Sequence, residues 1–196
     1  MDDETADAPP EARKRGSYAK GIRRRQEILD RALEIFSERG YDGTSLRSIG
    51  DAIGVTHAAL LHYFPSKEAL LIEVLRERDA RGTGFEEHMP FPALSHGAEY
   101  NATVPGLIAL YTSMAGTSAD AGNDEARAYF TERFAGLRAK IATALAEDAG
   151  EPVDSEHMKL ASLIIGASDG LQIQWLLDDS VDIAGGLELL QRLIER

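Results

Sequence analysis

Apolar positions along this chain recur at steps of three and four and hardly ever alternate. The first row is Leu29, Leu33 and Phe36, with Ile28, Ala32 and Ile35 beside it, which is one face of a helix. This predicts a helix from Gly21 that Gly40 stops. A shorter helix follows over 46–53, with Thr44 or Ser45 placed to cap it and Gly54 to break it. A third begins after Thr56 and ends near Phe64-Pro65. Ser66 then caps a fourth over 67–81, whose apolar stripe is Leu70, Leu71, Val74 and Leu75.

Further on the pattern changes twice. Residues 82–103 hold several glycines with Pro90, Pro92 and His96, and read as a loop or broken helix. After them helices are predicted at about 104–118, 124–148, 155–178 and 184–195. In the second of these, Phe130, Phe134, Leu137, Ile141 and Leu145 step by four, three, four and four. The polar start, residues 1–20 with Pro9, Pro10 and Gly16, reads as a disordered basic arm. The expectation is an all-α protein with no internal repeat. Its expected divisions are the arm, a three-helix module over 21–68, a connecting helix over 69–81 and a helical body over 82–196.

Composition narrows the function. With 196 residues, 43% of them hydrophobic, the chain can fold. Having no cysteine, it makes no disulfide, thiolate metal site or cysteine nucleophile. Its acidic start has no apolar run behind it, and Asp169, Gln172 and Gln174 interrupt the apolar stretch Leu160–Leu177, which makes a poor membrane span. A cytoplasmic protein without a membrane partner is expected.

The net charge of −12 is unevenly spread. Residues 1–81 carry 14 basic and 15 acidic side chains, residues 82–196 carry 7 and 18. The sharpest basic excess is Arg13-Lys14-Arg15, Lys20 and Arg23-Arg24-Arg25. Such a stripe can neutralise phosphates while the acidic body stays off a polyanion, and it reads equally as a solvated tail.

No catalytic constellation is present at useful spacing: there is no P-loop, no Gly-x-Ser-x-Gly and no His-Glu-x-x-His. His57 and His62 stand five apart, which on a helix turns them away from each other and disfavours a shared metal. His88, His96 and His157 are scattered, and Gly82-Thr-Gly84 is isolated. Neither an enzyme nor a cofactor is expected. Docking of the basic arm on acidic lipid is a further alternative, separable from DNA binding by liposome pelleting against gel shift.

The informative stretch runs from Thr44 to Leu71. Two short helices flank Gly54, which can take the positive φ of a tight inter-helix corner. Ile49, Ile53, Val55 and Leu60 can lock them against the first helix, leaving His57, Ala58, Ala59, Leu61 and His62 outside. In a helix-turn-helix the start of the second helix meets base edges, and the small residues Ala58 and Ala59 would allow a close approach.

Thr44, Ile49, Ala52, Gly54, Val55, Thr56, Leu60, His62, Tyr63, Phe64, Ser66, Lys67, Glu68, Leu70 and Leu71 fall in a pattern that resembles the TetR family of transcriptional regulators. The resemblance covers roughly residues 22–75, and Gly170–Leu177 looks like the penultimate helix of many such proteins. Two positions depart: Gly50 stands for alanine, and Leu61 for a tyrosine that touches phosphate in many members.

The resemblance implies a ligand-responsive regulator, with a repressor expected, that binds palindromic operator DNA as a homodimer and is released by a small-molecule effector. It implies that Thr44, Ser45, Arg47 and Thr56 meet the backbone at helix starts. His57, Ala58 and Ala59 would face bases, and His62, Tyr63, Lys67 and Arg23 would clamp phosphates. The homodimer would form through the last two helices. Leu160, Leu163, Ile164, Ala167, Leu171 and Trp175 would form one face of the first, and Ala161, Ile165, Ser168 and Gln172 another. Leu187, Leu190, Leu193 and Ile194 stripe the final helix. Candidate cavity residues are Leu107, Tyr111, Met114, Phe130, Phe134, Gln172 and Trp175, although an aromatic or Met at helical spacing is more often core.

Overall fold

In a computed structural model, residues 10–81 and 90–195 are described, and helices are their only regular structure. In chain order these are α1 (Pro10–Arg39), α2 (Leu46–Ile53), α3 (His57–Tyr63), α4 (Lys67–Arg81), α5 (Pro90–Thr103), α6 (Leu107–Thr117), α7 (Asp124–Ala149), α8 (Ser155–Leu177) and α9 (Ile183–Ile194). The start of the expected arm, the segment 82–89 with its Gly82, Gly84 and His88, and Arg196 lie outside the described residues.

The helix ends follow from local chemistry. Gly40 takes φ 69° and donates its amide to the Phe36 carbonyl at 2.8 Å, closing α1. Ser45, not Thr44, caps α2: its hydroxyl accepts from the Ser48 amide, and the Ser48 hydroxyl accepts from the Ser45 amide. Thr56 accepts from the Ala59 amide at the start of α3, and Ser66 from the Ala69 amide at the start of α4. Asp154 and Asp182 do the same for α8 and α9.

Two expectations are corrected. Residues 10–20, read as arm, continue α1, because Glu, Ala, Arg and Lys favour helix without needing an apolar stripe. Most of the loop expected over 82–103 is α5, whose Pro90 and Pro92 sit in the first turn, where a missing amide proton costs no helical hydrogen bond.

One apolar core runs from α1–α3 through α4 into α6 and α7. Ile28, Ile35, Phe36, Ile49, Leu60 and Phe64 meet Leu70, Leu71 and Leu75, and the cluster continues into Leu110, Met114 and Phe130. A second cluster, Ile141, Ala142, Ala161, Ile164 and Ile165, joins α7 to α8. A third, Ala98, Ile183 and Leu187, joins α5 to α9. By length and composition α8 would suffice to cross a bilayer, and here it packs along α7 and against α9.

The start of α6 approaches α1 closely. Gly106 has φ 76°, and a Cβ there would lie 2.6 Å from Ser37 Cβ. Gly106→Ala should therefore lower stability by about 1–3 kcal/mol. Gly136→Ala on α7, where a Cβ meets nothing within 4 Å, should raise it by up to about 1 kcal/mol. Urea midpoints of the two variants check both signs.

Candidate functional site

The corner between α2 and α3 is built by glycine and sealed by leucine and isoleucine. Gly54 takes φ 66°, and its amide and that of Val55 both close on the Gly50 carbonyl. A Cβ at Gly50 would lie 2.7 Å from the Val55 carbonyl oxygen, so close approach rather than helix propensity governs this departure from alanine. Ile49 and Leu60 are fully buried against α1, with Ile53 and Val55 packed beside them.

What remains outside is a continuous face. His57, Ala58, Ala59, Leu61, His62 and Tyr63 of α3 are all exposed, as are Ser45, Arg47 and Thr56 at the neighbouring helix starts. Tyr63 is 37% exposed while Phe64 is buried, so Phe64 alone supplies the core ring at the end of α3. Thr44 departs from its expected place. It is buried, and its hydroxyl donates to the Gly40 carbonyl at 2.7 Å, so its side chain closes the α1–α2 turn instead of reaching a phosphate.

The basic residues separate in the same way. Arg23 and Arg47 are exposed and have no partner among the described residues. Arg24 donates to Glu27 and to the Ile53 carbonyl. Arg25 pairs with Glu73 and lies over the Phe64 ring. Lys67, expected on the backbone of DNA, donates to the Tyr41 carbonyl at 3.2 Å and sits 3.7 Å from the centre of the Tyr41 ring. The Tyr41 hydroxyl in turn donates to Glu68 at 2.9 Å. Burial, and then this bond to a carboxylate, push the Tyr41 hydroxyl up to about 12.

In the body, α4, α5, α7 and α8 enclose a cavity of about 270 Å³. Its polar wall is a linked set. Arg133 grips Asp79 with Nε at 2.9 Å and Nη2 at 3.3 Å, and the Tyr129 hydroxyl donates to the same carboxylate. Arg133 also donates to the Tyr111 hydroxyl, which donates to Asp169 at 3.0 Å. Arg78 Nε donates to Asn101, Asn101 to Gln172, and Gln172 to the Ser168 carbonyl. Burial raises the tyrosines Tyr111 and Tyr129 further than Tyr41, and it raises the Asp169 carboxyl as well. Leu94, Ala98, Leu137 and Ile165 form the apolar wall.

Of the seven expected cavity residues, only Gln172 lines this space. Tyr111, Met114 and Phe130 are core. Phe134 packs between two core clusters, and Trp175 packs beside the α5–α9 cluster. Leu107 lines a more open cleft of about 480 Å³ between α1, α4 and the α5–α6 turn. Arg78, Asp79, Arg133 and Asp169 were not among the expected residues, since charges on helices ordinarily face water. Their signal was position: Arg78 continues the buried row Leu71–Leu75 by three residues.

The outer surface of α8 also differs from expectation. Ala161, Ile165, Ser168 and Gln172 face inward, and Leu163 does not share a face with Ile164. The exposed row is Leu163, Gly166, Ile173 and Leu177, with Leu163 68% and Leu177 85% exposed. On α9 the exposed pair is Leu189 and Leu193, while Leu187 is buried against α5. Among the described residues no group of histidines and carboxylates could hold a metal ion.

Residues 28–74 match the family model described as bacterial regulatory proteins, tetR family. The HTH-type transcriptional regulator RutR of Escherichia coli (strain K12) is 50% identical over 54 residues, 28% of this chain and 26% of that protein. The HTH-type transcriptional repressor KstR2 of Rhodococcus jostii (strain RHA1) is 47% identical over 53 residues, 27% and 26% of the two chains. The match thus spans about a quarter of the length of either relative. The transcriptional regulator FadR of Bacillus subtilis, solved in complex with stearoyl-CoA, superposes with a TM-score of 0.62 at 22% identity, over 84% of this chain and 96% of that one. That likeness is one of fold.

The Tyr41–Glu68 bond ties the α1–α2 turn to α4, and it is half-exposed. Burial works to raise the Glu68 carboxyl, but bonds from its own amide and the Tyr41 hydroxyl, with Lys67 beside it, hold it below its ordinary value. Tyr41→Phe should cost about 0.5–1 kcal/mol at neutral pH. A carboxylate held low stabilises the fold above the ordinary glutamate range and loses that contribution as pH falls through its folded value. The gap between wild type and Tyr41→Phe should therefore narrow on acidification, as read by denaturation midpoints at neutral pH and below that range.

Proposed function

From the match of residues 28–74 to the tetR family of bacterial regulatory proteins, we propose that this chain is a ligand-responsive transcriptional regulator of that family. It acts as a repressor that grips palindromic operator DNA as a homodimer and lets go when a small molecule binds its body. The observation that carries this reading is the α2–α3 corner: a sealed core behind it and an uninterrupted exposed face of His57, Ala58, Ala59, His62 and Tyr63 in front.

His57, Ala58 and Ala59 meet base edges in the major groove, their size letting the α3 backbone approach closely. Arg23, Arg47, Ser45 and Thr56 meet phosphates on either side. Lys67 reaches the backbone with the donors that Tyr41 leaves free. Its anchorage also makes it a brace between the head and α4. Residues 21–68 serve as the reading head, 69–81 as the connecting helix and 82–196 as the ligand-binding and dimerising body.

Two heads are needed to read a useful number of base pairs, with half-sites about 34–36 Å apart. The exposed row Leu163, Gly166, Ile173 and Leu177, with Leu189 and Leu193, supports pairing through α8 and α9, where a second copy covers apolar surface that water otherwise meets. Ligand in the cavity acts through α4, which carries Arg78 and Asp79 on the cavity wall and Lys67 beside the head. Release requires that the ligand bind the released form more tightly than the DNA-bound form. FadR of Bacillus subtilis, with stearoyl-CoA bound, supports a ligand-holding body in this fold.

Selection of bound fragments from random duplex DNA tests the reading. A two-fold-symmetric consensus is the expected result, and failure to enrich any sequence would overturn it. On the selected site, Arg47→Ala should weaken binding to all sequences alike and reduce the slope of log affinity against log salt by about one. His57→Ala should instead flatten the preference at one position of each half-site. Leu163→Glu should convert dimer to monomer in sedimentation velocity, and with it lower affinity for the palindrome far more than for a single half-site.

A further inference from the structure

Arg78 is the outlying charge of the cavity. Its side chain is only 14% exposed, and its Nε is spent on Asn101. Its Nη1 is buried and has no hydrogen-bond partner among the described residues. That nitrogen lies 3.5 Å from Asp79 Oδ1, on the side of the cavity-lining carboxylate, but outside hydrogen-bonding geometry. Asp79 has little left to offer: Arg133 and Tyr129 already donate three bonds to it. A buried guanidinium N–H without an acceptor costs about 1–3 kcal/mol or more, a cost that proteins rarely keep unless something else supplies the acceptor.

The other charges around the cavity do not cancel that one. Arg133 and Asp79 neutralise each other in a two-bond fork. Lys140 and Glu132 are exposed at the rim and opposite in sign. Asp169 accepts from the Tyr111 hydroxyl and makes no hydrogen bond to Arg78. What the cavity wall lacks is a hydrogen-bond acceptor for Arg78 Nη1, next to an apolar wall.

We propose that this cavity takes a small monocarboxylate, its carboxylate held by the Arg78 guanidinium and its apolar body lying against Leu94, Leu137 and Ile165. A carboxylate matches a guanidinium edge with two oxygens, which an amide cannot do, and a cation would face both Arg78 and Arg133. A doubly charged phosphate is disfavoured by the carboxylate of Asp79 on the same wall. The volume of about 270 Å³ suits a small acid. Gly97 and Gly136 line the same space, and a Cβ at either would meet nothing within 4 Å, so the pocket is left open by missing side chains at these two places. The inference rests on the ligand-responsive reading above for its biological sense, but binding itself is measured without DNA.

The test is calorimetric titration of the full chain with two matched sets. These are 3-phenylpropanoate, its primary amide and the corresponding amine, and hexanoate with its amide and amine. At least one acid is expected to bind one per chain, at least about tenfold more tightly than its amide or amine, the least that a charge-assisted pair of bonds should yield. Arg78→Met keeps most of the stem volume and should bring the acid down to the level of the amide. Gly136→Leu leaves Arg78 in place, fills the mouth and should abolish binding while melting no lower than wild type, so the site remains testable even where Arg78→Met does not fold. The proposal is overturned if no acid binds, if an amide or amine binds as well as its acid, or if Gly136→Leu or folded Arg78→Met retains wild-type affinity for the acid. An acid that binds in this pattern without changing affinity for the selected DNA would instead sink the release mechanism and leave the site standing.

Discussion

Leu70, Leu71 and Leu75 on α4 are buried from two sides at once. They share one buried cluster with side chains of α1 to α3 and of α6 and α7, with no solvent layer between. Removing any of these side chains would open a hole shared by both halves, since packed interiors relax only partly. The two halves are therefore mechanically continuous, and α4 cannot shift relative to one without disturbing the other. Any displacement of α4 by the body would therefore reach the core that lies beneath α3.

The polar groups of α4 extend the same logic. At its start Lys67 and Glu68 hold Tyr41, and toward its end Arg78 and Asp79 hold Asn101, Arg133 and Tyr129. Hydrogen bonds of this kind contribute little net stability each, but they are directional where apolar packing is not. They set which turn of α4 faces which neighbour. A helix buried by leucines alone could slide or rotate; one bonded at both ends has a defined position to move from.

Charge is unevenly partitioned along the chain. The body carries most of the excess acid, while the module around α3 presents Arg23 and Arg47 without internal partners. Arg24, Arg25 and Lys67 are less available than their number suggests, because Glu27, Glu73 and Tyr41 already hold them. Basic residues counted along a sequence overstate the positive surface a nucleic acid would meet.

Helix by helix, the chain could be read from its own residues: α2, α3 and α4 begin and end at Ser45, Gly54, Thr56 and Ser66 because capping and left-handed corners are local chemistry. The exposed row on α3 was legible for the same reason, since one strongly amphipathic turn leaves few choices. Where periodicity was weak, as in α5 and the first turns of α1, proline, glycine and charge hid helices that neighbours or propensity supply. Only tertiary packing decided which polar residues go inside. Arg78 and Asp169 look like surface groups until other helices bring them an acceptor and a donor from far along the chain. Only packing, too, turned Ile165 inward and Leu163 outward on α8, because the face a helix buries depends on where its neighbours lie.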